Sequence, residues 1–322
     1  MKNTAFCRRL ENMTEYTVVL FYKYTTITDP EAFAAEERLR CQKLGLRGRT
    51  IIAHEGINAT YEGETARIDE YIVELTQDAR FADTHFKLSK GRGDGFPRLS
   101  IKVRSEIVSL HLADNGEDIN PNKLTGKHVP PDELHQWFEQ GEEFTIIDMR
   151  NQYEHAVGHF QGSVLPPLQN FRDLPKVIPQ LEHLKDKKIL TVCTGGIRCE
   201  KASGYLMSQG FKNVHQLDGG MVSYMEKYPA QNFRGAMYVF DNRKVMDWDG
   251  GNHEVIGVCK HCAGKTESYV DCANESCHSQ FLQCADCVQK KGKEFCCFSC
   301  QLRDTWNHMI DWIHAPGRFK SS

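Results

Sequence analysis

The sequence predicts a multidomain α/β protein in three successive parts: an N-terminal α+β domain, a central domain on a parallel sheet, and a C-terminal cysteine-rich zinc-binding segment. Three observations predict it. Strand and helix signals follow the order β-α-β-β-α-β over the first third, and they alternate again over residues 130 to 228, where one strand ends in a cysteine. Nine of the thirteen cysteines then fall between Cys259 and Cys300. A chain of 322 residues with 40% hydrophobic content suits two or three domains. The expected organisation is a leader over 1–13, domains over 14–115 and 128–230, the cysteine-rich segment over 255–302 and a tail over 303–322.

In the first domain, Thr17 to Tyr24 reads as a strand. Asp29 then offers an N-cap side chain and Pro30 a pre-set first helical φ, for a helix that ends at Gly45. Strands follow at Arg49–His54 and Ile57–Tyr61, a helix at Thr65–Leu75 and a strand near His85–Leu88, which is the ferredoxin-like order. No nucleophile or carboxylate pair stands out here, so the domain reads as a binding module. The stretch Lys87 to Arg104 carries six basic residues, Lys87, Lys90, Arg92, Arg98, Lys102 and Arg104, against Asp94 alone, with Phe96 available to stack on a base. A solvated surface explains such a run equally well.

In the central domain the chemistry gathers at Cys193-Thr194-Gly195-Gly196-Ile197-Arg198. The apolar run Ile189–Val192 is a strand, and a helix is expected from Glu200 to Met207, closed by Gly210. Cys193 therefore stands at a strand's C-terminal end, where open α/β sheets hold their sites, presented for chemistry. Gly195 and Gly196 allow the backbone N–H groups to turn inward, the helix N-terminus adds its dipole, and Arg198 adds a charge. All three favour a thiolate nucleophile. Cys199, one residue further on, would pack or resolve an oxidised Cys193. Four residues separate Cys193 from Arg198, one fewer than in cysteine-dependent phosphatase loops, which favours a sulfur or carbon electrophile over a phosphate monoester.

The C-terminal cysteines form knuckles: Cys259/Cys262, Cys272/Cys277, Cys284/Cys287, and Cys296 and Cys297 with Cys300. Four knuckles supply two four-sulfur sites, the pattern of two structural zinc ions, with an iron–sulfur cluster as the alternative. The interleaved pairing, Cys259/Cys262 with Cys284/Cys287 and Cys272/Cys277 with Cys300 plus Cys296 or Cys297, is preferred over a sequential one. His261 and His278 are possible substitutes. Thiolates in this number, with no secretory signal or long apolar run, point to a reducing compartment, the cytoplasm, and to no membrane span. A net charge of −3 gives no bulk attraction to nucleic acid, so any such contact needs a local patch.

The loop at Cys193 resembles the active-site loop of rhodanese domains, together with Phe144–Arg150, Tyr153-Glu154, Gly158-His159-Phe160, Asn213–Leu217 and Asp218-Gly219-Gly220. With Phe21–Tyr24, Ala53–Ala59, Lys102–Arg104, the eleven residues Cys193–Ser203 and the cysteine-rich end, the chain over about 15–300 resembles the rhodanese-domain tRNA uridine hydroxylases. The resemblance implies a rhodanese-like central fold, tRNA as partner, and an oxidoreductase that converts the wobble uridine to its 5-hydroxy form with molecular oxygen. It carries over Cys193 as the catalytic residue, with Arg198 and the loop glycines shaping its pocket. The sequence shows no flavin or nicotinamide fingerprint. On this reading Cys193, as thiolate or persulfide, adds to carbon six of the uracil, and His54, Glu55 and Asn58 could orient the base or merely hold a turn. Asp148 with Arg150 and His159 read first as an ion pair and a packed turn, and Lys201 either extends the positive field at the loop mouth or is simply solvated. A persulfide sulfurtransferase or a non-catalytic interaction protein built on the knuckles remains the alternative.

Overall fold

The computed structural model describes residues 15–112, 119–277, 279–291 and 295–303. The expected leader, nearly all of the tail and His278 lie outside the described residues. The chain forms two compact units that divide between Ser109 and Leu110.

The first unit runs β1 (Tyr16–Tyr24), α1 (Pro30–Lys43), β2 (Arg47–Ala53), β3 (Gly56–Glu64), α2 (Thr65–Thr76), β4 (Lys87–Lys90) and β5 (Leu99–Val103). Its sheet order is β4-β1-β3-β2-β5. The first four strands are antiparallel in ferredoxin-like order, and β5 adds a parallel edge beside β2. The Asp29 carboxylate caps α1 by accepting from the Ala32 N–H at 3.0 Å, as Asp-Pro predicts. Alternate residues Val19, Phe21, Ile52, Ile57, Ala59 and Tyr61 face the helices and bury against Phe33 and Cys41 of α1 and Ile68, Tyr71 and Leu75 of α2.

The second unit opens with β6 (Lys127–Val129), α3 (Pro131–Glu139), β7 (Thr145–Asp148), α4 (Gln152–His155), β8 (Gly158–Phe160) and α5 (Leu174–Leu181). It continues with β9 (Lys188–Val192), α6 (Ile197–Ser208), β10 (Asn213–Leu217) and α7 (Gly220–Lys227). Strands β6-β10-β9-β7 form one parallel sheet. Ile189, Leu190 and Val192 are buried because β9 is central and covered on both faces. Helix α6 starts at Ile197, three residues before the expected Glu200, because Gly196 takes φ +98° as its N-cap and lets the helix begin at once.

Short pairs close the unit: β11 (Phe233–Gly235) on β8, β12 (Met237–Tyr238) with β13 (Val245–Met246), and β14 (Tyr269–Asp271) with β15 (Gln280–Leu282), before α8 (Ala285–Lys291). Val157, Tyr238, Tyr269 and Leu282 pack together, which ties the cysteine-rich segment to the turn before β8. Among the described residues no helix is long and apolar enough to cross a membrane.

Candidate active site and metal centres

The central strand β9 delivers Cys193 into a loop whose backbone is reversed at Gly196. The Gly196 N–H donates to the Cys193 sulfur at 3.2 Å. The loop carbonyls point the other way, Cys193 O accepting from the Met221 N–H at 2.9 Å and Thr194 O from the Val222 N–H at 3.1 Å. The start of α7 therefore holds the loop from behind. Only glycine fits at position 220: φ is +70°, and a Cβ there would lie 2.5 Å from Gly196 N and 2.7 Å from Cys193 O. Burial raises the Cys193 pKa, but the Cys199 thiol, the Arg198 charge and the N–H groups of Cys199 and Arg198 outweigh it and bring the thiol down to about 6. Cys199 is pushed the opposite way, by its burial and by its neighbour Cys193.

Arg198 stands in the first turn of α6 and pairs with Glu154 of α4 through Nη1–Oε1 at 2.5 Å and Nη2–Oε2 at 2.7 Å. Nη2 also reaches Thr194 Oγ1 at 3.4 Å, and the Phe240 ring lies 5.8 Å from the guanidinium. This bidentate pair is buried on both sides, which fixes the guanidinium beside the sulfur. Ile197 is half-buried while its neighbours Gly195 and Gly196 are buried.

Cys193 is fully buried, as the loop, α6 and α7 close around it. One expectation needs correction here: Lys201 is not solvated, at 1% exposure, because α6 is enclosed along its first two turns. The bland readings fit elsewhere. Arg150 pairs with Asp148 through Nη2–Oδ2 at 2.6 Å and donates to Gly158 O, with both residues fully buried. His159 Nδ1 lies 3.1 Å from His155 O in its turn. His54 is exposed with Nδ1 against Ile27 O, while the Glu55 carboxylate accepts from the Ile107 N–H and the Asn58 amide donates to Ile107 O, so this turn holds backbone.

The cysteines gather into two groups, Cys259/Cys262/Cys284/Cys287 and Cys272/Cys277/Cys296/Cys300, each with its sulfurs within 4.8 Å of one another. That is the interleaved pairing. The separations of 3.6 Å for Cys262–Cys284, 3.5 Å for Cys277–Cys296 and 3.4 Å for Cys296–Cys300 approach the edge of a thiolate tetrahedron, about 3.8 Å for a Zn–S bond of ~2.3 Å. The donor set fits zinc. Cys297 stands outside its group, exposed, with its sulfur 3.1 Å from Ser299 Oγ. His261 packs edge-on against Phe281 at 5.7 Å rather than joining a group.

In the basic stretch, Lys90, Arg92, Arg98, Lys102 and Arg104 are exposed. Lys87 and Phe96 do not join them. Lys87 is 4% exposed with its ammonium over the Tyr22 ring at 5.2 Å, and Phe96 is 3% exposed beneath the Arg49 guanidinium at 5.8 Å. Both point toward the sheet, because β4 and the glycine loop fold back along it.

The sequence has relatives among known proteins. Residues 16–107 match the UPF0176 acylphosphatase-like domain family, residues 130–227 the rhodanese-like domain family and residues 234–301 the Rhodanase C-terminal family. A tRNA uridine(34) hydroxylase of Bacillus cytotoxicus is 42% identical over 290 residues, covering 89% of this chain and 88% of that protein. One of Cytophaga hutchinsonii is 40% identical over 278 residues, covering 86% and 88%. The chain belongs to the tRNA uridine(34) hydroxylase family. Among solved structures, a rhodanese-like domain protein from Staphylococcus aureus is 26% identical, covering 30% of this chain and 90% of that one, with a TM-score of 0.27.

Several residues of this family member escape sequence reasoning. Glu154 was visible only as half of a Tyr-Glu pair; nothing in its spacing from Arg198 predicts that the two meet across forty-four positions. Arg47 and Arg49 are exposed on β2, and the register sets Arg49 beside Ser100 and Ile51 beside Lys102. The alternation Arg-Gly-Arg inside a strand was the available signal. Glu62, 3% exposed, accepts from the N–H groups of Arg92, Gly93 and Gly95 at 2.8, 2.9 and 2.6 Å and so shapes the loop that carries the basic side chains.

Proposed function

We propose that this chain hydroxylates the wobble uridine of tRNA to 5-hydroxyuridine, with Cys193 as its nucleophile and molecular oxygen as co-substrate. The family and its named activity support the reaction. The observation that carries the residue assignment is the buried sulfur held as a thiolate, with a pKa of about 6, by the loop amides, Cys199 and Arg198. A thiolate in that state adds to carbon six of the uracil, an electrophilic position conjugated to the C4 carbonyl. Carbon five then carries the negative charge and becomes the site for oxygen. Because Cys193 is buried, the base must leave the anticodon stack and the enclosing loop must admit it to the sulfur, as enzymes that modify a base in place require.

The exposed residues Lys90, Arg92, Arg98, Lys102 and Arg104, with Arg47 and Arg49, would take the phosphates of the anticodon arm. Arg198 orients and charges the pocket, and Glu154 holds Arg198 in place. Two zinc ions on the two thiolate groups would cross-link the C-terminal segment, which has too little apolar area of its own to fold without them. Closed four-thiolate sites leave no open position for chemistry.

The test is direct. Reduced, purified protein is incubated in air with tRNA carrying unmodified uridine at the wobble position, and the nucleosides are analysed by mass spectrometry. The expected product is 5-hydroxyuridine at that position. A sulfur-bearing nucleoside instead, or turnover of thiosulfate with no change in the tRNA, would make the protein a sulfurtransferase.

A further inference from the structure

Hydroxylation by dioxygen places one oxygen atom on carbon five and leaves the other to be reduced to water, which takes two electrons and two protons. A second sulfur is buried at the same loop. Cys199 is fully buried in the first turn of α6, and Gly196 links it to Cys193: the Gly196 N–H donates to the Cys193 sulfur at 3.2 Å and the Gly196 carbonyl accepts from the Cys199 N–H at 2.9 Å. The two sulfurs are unequal: Cys193 is kept as the thiolate, and Cys199 is kept protonated by burial and by the charge of its neighbour. One is poised to attack carbon, the other to give a proton and accept oxygen.

We propose that Cys193 and Cys199 together are the two-electron reductant of the hydroxylation, so that each turnover ends with a Cys193–Cys199 disulfide. The proposal rests on the reading of Cys193 as the nucleophile toward carbon six. The thiolate adds to carbon six, and the carbanion at carbon five takes up dioxygen and a proton to give a hydroperoxide. The Cys199 thiol removes the terminal oxygen, becoming a sulfenic acid and leaving a hydroxyl on carbon five. Loss of the carbon-five proton and of the carbon–sulfur bond releases 5-hydroxyuridine and the Cys193 thiolate. That thiolate attacks the Cys199 sulfenic acid and expels its oxygen as water. In sum, uridine, dioxygen and two thiols give 5-hydroxyuridine, water and one disulfide. A dithiol–disulfide exchange with an external reductant must follow each turnover and reopen the pair.

The experiment uses full-length, zinc-loaded protein, reduced and stripped of small thiols under anaerobic conditions, then mixed with excess unmodified tRNA before air is admitted. The expected result is one 5-hydroxyuridine per chain and an equal amount of Cys193–Cys199 disulfide, read by nucleoside analysis and by peptide mapping after alkylation. Adding dithiothreitol should restart turnover. Cys199→Ser should lower the thiol-free yield roughly tenfold or more, while a melting temperature and tRNA affinity equal to wild type show that the protein is still folded. The proposal is overturned by product without the disulfide, by many turnovers with no thiol present, or by full single-turnover yield from Cys199→Ser. The wild-type disulfide measurement stands even if the variant fails to fold. If wild-type protein makes no 5-hydroxyuridine even with dithiothreitol, the hydroxylase reading fails, and this proposal with it.

Discussion

Replacing Arg198 by Met separates two roles that the structure assigns to one side chain. The substitution keeps the volume but leaves the Glu154 carboxylate, fully buried, without its cation. Stranding one member of a buried pair costs about 3–5 kcal/mol. At ~2–4 °C per kcal/mol for a unit of this size, the melting temperature should fall by roughly 6–20 °C. The same change removes one of the interactions that hold the Cys193 thiol near 6. An opposite charge at this range shifts an ionisation by about 1–3 units, so the thiol should ionise near neutrality or above. The double variant Arg198→Met/Glu154→Gln removes both charges, so most of the lost stability should return while the thiol remains raised. It should nonetheless sit below the single variant, in which an unopposed carboxylate also repels the thiolate. Alkylation of Cys193 by iodoacetamide, followed by peptide mapping across pH, measures all three proteins. The expected order of midpoints is wild type, double variant, single variant. Midpoints that all remain near 6 would show that Arg198 does not set the thiolate.

The sign of the linkage gives a second expectation. Because folding lowers the Cys193 pKa from its ordinary 9.0 to about 6, the stability due to its ionisation is complete above 9.0 and is lost as pH falls through about 6. Denaturant midpoints of wild type and Cys193→Ser should therefore converge on acidification through that range; a constant gap would contradict the shift. Gly220→Ala puts a methyl group into the loop backbone at positive φ, at a strain cost of about 1–3 kcal/mol. It should slow Cys193 alkylation at neutral pH, and unchanged reactivity would mean that α7 does not hold the loop. Elemental analysis should find two zinc ions per chain, with Cys300→Ser losing one and Cys297→Ser losing none, since only Cys300 is grouped. Neutralising Lys90, Arg92 and Arg98 together should weaken tRNA binding and reduce its salt slope by roughly 0.7–0.9 for each phosphate that is no longer neutralised. Identical binding at every salt concentration would make the patch a solvated surface.

The parts of this account legible in the sequence share a physical property: local spacing determines them. The Asp-Pro start of α1, the strand–cysteine–glycine loop before α6 and the cysteine knuckles each need only a few neighbouring residues to be read. The count of ligands admits sequential and interleaved pairing alike, so the preference for Cys259/Cys262 with Cys284/Cys287 is decided only by the fold that brings them together. What escaped depends on long-range closure. The bond between Arg198 and Glu154 forms only when α4 and α6 meet over the sheet, and the seating of Gly220 on Gly196 only when α7 folds back on the loop. The basic stretch shows the limit most clearly: a charge count treats Lys87 and Arg92 alike, yet β4 turns Lys87 onto Tyr22 and the loop after it leaves Arg92 exposed.

The central claim is that Cys193 performs the hydroxylation of the wobble uridine. Its most direct test is the amount of 5-hydroxyuridine in tRNA from cells whose only copy of this protein carries Cys193→Ser, expressed at the wild-type level and grown in air. A serine hydroxyl preserves the loop but is not ionised there at neutral pH. The account predicts that 5-hydroxyuridine attributable to this protein disappears, as it does in cells lacking the protein. An amount equal to wild type would contradict it and return the loop to a structural role.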